Sequence, residues 1–387
     1  MKIKIFSFLL CGILLLASLS GCAQTQEAVT NEWLQTAQLD AQETPQQLYE
    51  KALLEETLVI YSSTTRIFDT QKAFEVAYPG LATDVQIVRT ADLIVLLEEN
   101  VATGEALCDV VICTDSNAIL STQMVPQGLL YKYVPWDIED KILPQYNTEI
   151  LDFMVESGLL FYNSEVYDTP PIASWWELTE PRWNGKFYMV DPQRSHTTNA
   201  LLFTIIQHSD EMAAAYEALY GQPLPVPEGS TAGHEFWRML LANNVQFTSS
   251  SDEALELVGM PGQSDPPLAI LVSSKDRKAA LGYAIAPAYH LAPTAGVIVP
   301  NSLMLHGGAK NVSAAKLFIR FLLGETDGTG VGFAPYMHEG NWPVRTDVVS
   351  PSEVQLDEVD FWLLDKQFMA DNLEKITEFW RQLRQDS

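Results

Sequence analysis

The residues best suited to chemistry in this chain are hydroxyls and arginines gathered where apolar strands run into helices. Ser62, Ser63, Thr64, Thr65 and Arg66 follow the β-branched run 58–61 and precede Ile67, Phe68, Ala73, Phe74 and Tyr78, which recur at helical spacing. Arg194, Ser195, His196 and Thr197 stand in the same way between a strand-like run, 186–190, and a helical run, 199–207. Hydroxyls and backbone N–H groups at a helix N-terminus can hold an oxyanion, and arginine adds a bidentate, charge-assisted contact. The same hydroxyls can merely cap the helix, although four in a row exceed what one cap uses. Thr114, Asp115 and Ser116 end another buried run, CDVVIC, and are expected to border the same cleft.

The elements needed to position these turns alternate along the chain. A helix over 45–55, with Pro45 at its start, leads into the strand at 58–61. A strand over 82–89, a helix over 90–103 and the strand over 108–115 follow. Residues 151–163 read as a strand and turn carrying the chain elsewhere. A second set comprises the strand 186–190, helices over 199–207, 210–220 and 232–243, and strands near 268–273 and 282–286. Apolar chain returns at 297–306, and an amphipathic helix over 313–323 stops at Gly324. A last helix carries Phe368, Leu373, Ile376 and Phe379. Such alternation predicts an α/β fold with mainly parallel sheets, in which ligands sit at the carboxyl ends of the strands. Two like turns in separate halves predict one ligand site shared between two lobes.

The start of the chain is read as a leader. Lys2 and Lys4 precede an apolar run over 5–16, and Leu19-Ser20-Gly21-Cys22 has the form of a lipobox, with Cys22 the lipidated residue. Residues 1–21 are thus the expected signal peptide and 22–45 a solvated tether, placing the protein outside the cytoplasm, anchored in a bilayer through Cys22. Losing the leader removes two of 23 basic side chains and none of 50 acidic ones, which deepens the formal net charge of −27. A surface so acidic opposes nucleic acid, while screening over about 8 Å lets local amides and arginines still attract a small anion. Cys108 and Cys113 flank one strand. Their separation of roughly 16 Å, at 3.3 Å per residue, is too long for a disulfide, so both are expected to be free and buried.

Six segments in order carry a resemblance. QLYEKALLEETLVIYSST, FEVAYPG, FYNSEVYDTPPIASWWEL, GKFYMVDPQRSHTT, HGGAKNVSAAKLFIRFLLG and GNWPVRTDV resemble the extracellular solute-binding proteins of ABC importers, within the group of ferric-iron and anion-binding proteins. The resemblance implies a two-lobed, type II periplasmic-binding-protein fold with crossing strands between lobes. It implies a first lobe of 46–153 and 287–335 and a second of 154–286 and 336–387. It further implies a monomer that hands a solute to a membrane permease. Ferric-binding relatives use two adjacent tyrosines in a segment resembling GYAIAPAYHLAP. Tyr289 and His290 stand there in this chain, and imidazole suits Fe³⁺ less well than a second oxygen.

The function expected is therefore capture of a small anionic solute, phosphorylated or carboxylated, by the two hydroxyl-rich turns with Tyr289, without a cofactor. Ferric iron, held by Tyr289 and His290, and a lipoprotein solute sensor are the alternatives. Enzyme motifs fail on inspection. HEFWR has Arg238 where a zinc-protease helix has its second histidine, no GxSxG occurs, and GGAKN lacks the Lys-Ser/Thr ending of a phosphate loop.

Overall fold

The computed structural model describes residues 32–386 apart from 104, 105 and 326; the leader, the lipobox and Cys22 lie outside the described residues. A short helix, α1 (32–37), opens the described chain. It is docked, because the Trp33 indole N–H donates to the Ala309 carbonyl at 2.9 Å and its ring meets that of Tyr131. Close by, the buried Lys316 ammonium reaches the Gln38 carbonyl at 2.6 Å and Glu43 at 2.9 Å. The later part of the expected tether is thus packed onto the body. Its one large apolar side chain and a buried lysine that needs acceptors there account for the difference.

The first half then alternates as its periodicity predicts. α2 (Pro45–Ala52) is closed at its start by a Thr44–Gln47 capping box with Pro45 in the first turn. β1 (Leu58–Ser62), α3 (Ile67–Ala77), β2 (Thr83–Ile87), α4 (Thr90–Thr103) and β3 (Val110–Cys113) follow, with β1 parallel to both β2 and β3. Short β4 (Leu130–Tyr131) precedes the 12-residue β5 (Leu151–Tyr162). The second half holds β6 (Phe187–Val190), α5 (His196–Gln207), α6 (Ser209–Tyr220), α7 (Ala232–Ala242), β7 (Gln246–Thr248), α8 (Ser251–Gly259) and β8 (Leu268–Val272). Here β6 is parallel to β7 and β8. A 3₁₀ segment, Ser273–Leu281, leads to β9 (Ala286–Pro287) and the long β10 (Gly296–His306). α9 (Val312–Leu323), β11 (Trp342–Pro343), β12 (Phe361–Leu363) and α10 (Lys366–Asp386) complete the chain.

The main strands hydrogen-bond in the order β2-β1-β3-β10-β5-β8-β6-β7. β5 and β10 are the joint between the halves. They run antiparallel from Gly296 opposite Leu159 to Leu303 opposite Leu151, with a bulge between Asn301 and Ser302. The end of β10 pairs with β3, while the end of β5 pairs with β8. Packing changes in mid-strand accordingly. Phe153, Leu303 and Leu305 enter a first core with Ile60, Phe74 and Phe318, whereas Leu160 and Val297 enter a second with Trp176, Phe203 and Trp237. Two cores on two strands make two lobes.

The later segments divide between these two cores. Tyr336, Trp342 and Val344 pack in the first core, because β11 pairs with the first-lobe end of β5 at Trp342 and Val155. Ala288 and Leu291 pack in the second. α10 belongs to the second core through Met369, Ile376 and Trp380. Cys108 and Cys113 are both buried and free, as their spacing predicts.

One buried carboxylate ties the first lobe together. Asp109 accepts from Val59 N and Asn311 Nδ2 on one oxygen and from Lys310 N and Asn311 N on the other, all at 2.9–3.0 Å. It thereby joins β1 and β3 to the start of α9, a role its place before a strand does not announce.

Candidate functional site

The first hydroxyl-rich turn divides its groups between structure and solvent. Ser62 is fully buried, and its hydroxyl accepts from Thr64 N and donates to Thr64 O, both at 3.1 Å. Thr64 accepts from Arg66 N at 3.4 Å. Ser63 and Thr65 are exposed, with side chains that engage no other described residue. Arg66 stands at the start of α3 and reaches from the first lobe to Glu156 of β5 at 3.7 Å, too long for a hydrogen bond.

The second strand end is largely structural. Asp115 accepts from Leu120 N at 2.8 Å and from the Ser121 hydroxyl at 2.6 Å, so it caps the turn after β3. Thr114 is buried beside it, and the side chain of Ser116 lies outside the described residues. Asn117 and Ala118 both hold left-handed backbone, with φ of 58° and 57°. For residues with a Cβ this is a locally strained conformation. It puts Asn117 where its Oδ1 accepts from Asn199 Nδ2 of α5 at 2.8 Å, a bond between the first-lobe turn and the second lobe.

In the second lobe α5 begins earlier than its periodicity indicates, at His196, with Ser195 as the cap accepting from Thr198 N. Thr197 is buried and its methyl faces Gly158 of β5. Arg194 is exposed and makes no ion pair among the described residues. Thr114, Asp115, Asn117, His196 and Asn199 line one cavity of about 50 Å³ above Asp152 and Pro300 of the crossing strands. The Asp152 carboxyl is pushed up to about 6 by burial, against the pull of Lys366 and of the Ser302 hydroxyl. The structure therefore does bring the strand end after β3 and the second-lobe turn together. The space left between them is well below the 300 Å³ or so of an ordinary ligand pocket.

A third turn, not singled out in the sequence, completes the site. β8 ends in Ser273 and Ser274, and Ser273 is spent internally, accepting from Ser157 N at 2.8 Å and donating to Gly340 O at 2.5 Å. Four residues on, Arg277 places Nη1 3.4 Å from His338 Nε2, while His338 Nδ1 lies 3.0 Å from the Glu339 carbonyl. These partners assign Nδ1 as the protonated nitrogen and Nε2 as the acceptor. The His338 imidazole is pushed down to about 4, first by burial and then by the guanidiniums of Arg66 and Arg277. Arg277 is lowered by burial and by Arg66 in turn. Arg66 thus reaches Glu156 of the crossing strand from one lobe, while Arg277 and His338 stand together on the segment that Ser273 ties to the next residue of that strand, Ser157. The signal for Arg277 was legible in outline: Val272-Ser273-Ser274 is again an apolar strand ending in hydroxyls.

Comparison with known proteins bears on what such a cleft does. The sequence profile described as bacterial extracellular solute-binding protein matches residues 70–359. The chain belongs to that family. Its members are the solute-binding components of ABC importers, which act outside the cytoplasm. No curated protein matches by sequence. Among solved structures, this solute-binding protein is similar to iron-bound HitA from Pseudomonas aeruginosa. The identity is 19%, the TM-score 0.64, and 85% of this chain and 99% of that one are covered. The apo ferric ion-binding protein A of Pasteurella haemolytica gives 15% identity and a TM-score of 0.63 over 86% and 99%. AfuA of Actinobacillus pleuropneumoniae, with fructose-6-phosphate bound, gives 18% and 0.61 over 84% and 97%. At such identities the likeness shows the fold alone, and that fold is the two-lobed type II arrangement the sequence predicts.

Tyr289 is half-buried between hydrophobic clusters, beside Asp276 of the segment after β8 and Glu339 next to His338. Burial and the carboxylates of Asp276, Glu339 and Glu353 push its phenol up. His290 is exposed. Among the described residues no group of three or more His, Cys, Asp or Glu is arranged to hold a metal ion.

Proposed function

We propose that this solute-binding protein captures a small anionic solute between its lobes and delivers it to a membrane permease. The observation that carries the reading is a guanidinium from each lobe at one crossing strand, Arg66 at Glu156 and Arg277 on the segment that Ser273 ties to Ser157. Each guanidinium offers five N–H donors. Against these stand one loose pair at 3.7 Å for Arg66 and one neutral imidazole for Arg277. Two like charges carried by opposite lobes oppose closure of an empty cleft, and an anion between them reverses the sign of that interaction. Solute binding and closure are thereby linked, since a ligand shifts an open–closed equilibrium only by its differential affinity. The exposed hydroxyls of Ser63 and Thr65 lie on the turn that carries Arg66. Anchoring through Cys22 and a monomeric state belong to the same proposal.

Ferric iron is the weaker reading, because Tyr289 and His290 offer one phenol and one imidazole where two oxygen ligands would suit Fe³⁺ better. A thermal-shift screen of phosphorylated and carboxylated metabolites, with Fe³⁺ plus a small anion as a separate arm, tests the choice. A solute at 100 times its Kd stabilises the fold by about 2.7 kcal/mol, an easily read rise in Tm. Anionic organic solutes are expected to give it. A rise with the iron arm alone overturns the proposal.

A further inference from the structure

We infer that Glu156 sets the charge of the solute, matching the cleft to a single negative charge. The inference rests on the anion-binding reading above. Glu156 lies on β5, on the strands that cross between lobes, with its carboxylate 3.7 Å from Arg66 and its side chain largely buried. Arg66 at the start of α3 faces it directly, and Arg277 lies on the segment after β8 that Ser273 ties to Ser157, the next residue of β5. The His338 imidazole beside Arg277 is held neutral by burial. Asp276, next to Arg277, acts on Tyr289 instead, and Asp252 is paired with Lys275 at 2.5 Å. Two guanidiniums then stand against one carboxylate, which leaves one net positive charge.

A fixed carboxylate inside an anion cleft acts on every ligand in proportion to the ligand's charge. A monoanion balances the site. A dianion doubles its attraction to the guanidiniums and its repulsion from Glu156 alike, while the Born cost of desolvating it rises as the square of its charge, roughly fourfold, so the small net attraction that Glu156 leaves does not offset it. Glu156 therefore works by rejection, and specificity built in this way is a difference of affinities. A carboxylate, a sulfonate or a singly charged phosphodiester fits the balance, whereas a doubly charged phosphomonoester does not.

Two probes of nearly the same shape separate the charges: methanesulfonate, a monoanion, and sulfate, a dianion. Both are titrated calorimetrically at pH 8, where the histidines are neutral, into wild type, Glu156→Gln and Glu156→Asp. Wild type is expected to bind methanesulfonate at least as tightly as sulfate. Glu156→Gln is expected to gain about 10-fold for sulfate and only about 3-fold for methanesulfonate, since the gain scales with ligand charge. Glu156→Asp keeps the wild-type order, which separates charge from shape and folding. Equal gains for both probes, or none, in a Gln variant that still binds them overturn the inference and leave the anion cleft standing. Arg277→Met is the control for the cleft itself. If it leaves both affinities unchanged, or if wild type binds neither probe, the cleft reading fails and the inference with it.

Discussion

Replacing Arg66 or Arg277 with methionine lowers affinity for the anionic solute by roughly 30-fold or more, and replacing both abolishes measurable binding. Truncating one partner of a desolvated charge pair costs about 2–5 kcal/mol, and 1.4 kcal/mol is a factor of ten. The lower end of that range gives the 30-fold figure. Methionine keeps much of the stem that each arginine packs, so the loss reports the guanidinium. Folding is affected far less. Arg66 contributes one ion pair at 3.7 Å, and Arg277 has no ion pair among the described residues. Partly exposed pairs of that kind are worth about 0–1 kcal/mol. Calorimetry with a solute found in the screen, beside thermal melting, checks both halves. Unaltered affinity with an unaltered melt removes the two arginines from the site.

Asp109→Ala is expected to cause the largest loss of stability, about 4 kcal/mol or more. Its carboxylate is 3% exposed and takes four N–H donors from Val59, Lys310 and Asn311. A hydrogen bond to a charged group contributes about 1.5–3 kcal/mol, and each buried donor left without an acceptor adds its own desolvation cost. Some donors will find water, so the sum of the four is an upper limit. The damage also falls on function, because β1 carries the turn with Arg66 and is held to β3 and α9 through this carboxylate. Denaturant unfolding of the variant reads the effect directly. A loss under about 1 kcal/mol shows that the network is replaceable.

The local parts of this fold were legible in the sequence, and the meeting of distant parts was not. The alternation around β1, β3 and β6 follows from short apolar runs and helical spacing, and α2 and α9 keep the capping residues and the stop at Gly324 that their sequences display. The hydroxyl-rich turns were visible because composition alone marks a strand end. Which hydroxyls are free was not visible. Ser62 and Ser195 look alike in sequence to Ser63, yet one is buried in its own turn and the other caps α5.

Glu156, Arg277 and His338 escaped notice for a different reason. Their meeting depends on the register of β5 against β8 and β10 and on the return through β11, all set by pairings more than a hundred residues apart in sequence. Trp33 shows how a short segment docks, since its indole hydrogen bond and ring contact act together with buried Ala37 and the Lys316 bond to Gln38.

The central claim is that one solute anion is held by arginines from both lobes at once. A crystal structure of the protein with a solute that raises its Tm tests this most directly. The anionic group is expected between Arg66 and Arg277, with oxygens about 2.7–2.9 Å from guanidinium nitrogens on both sides. A solute bound to neither arginine, or an iron held by Tyr289 and His290, contradicts it.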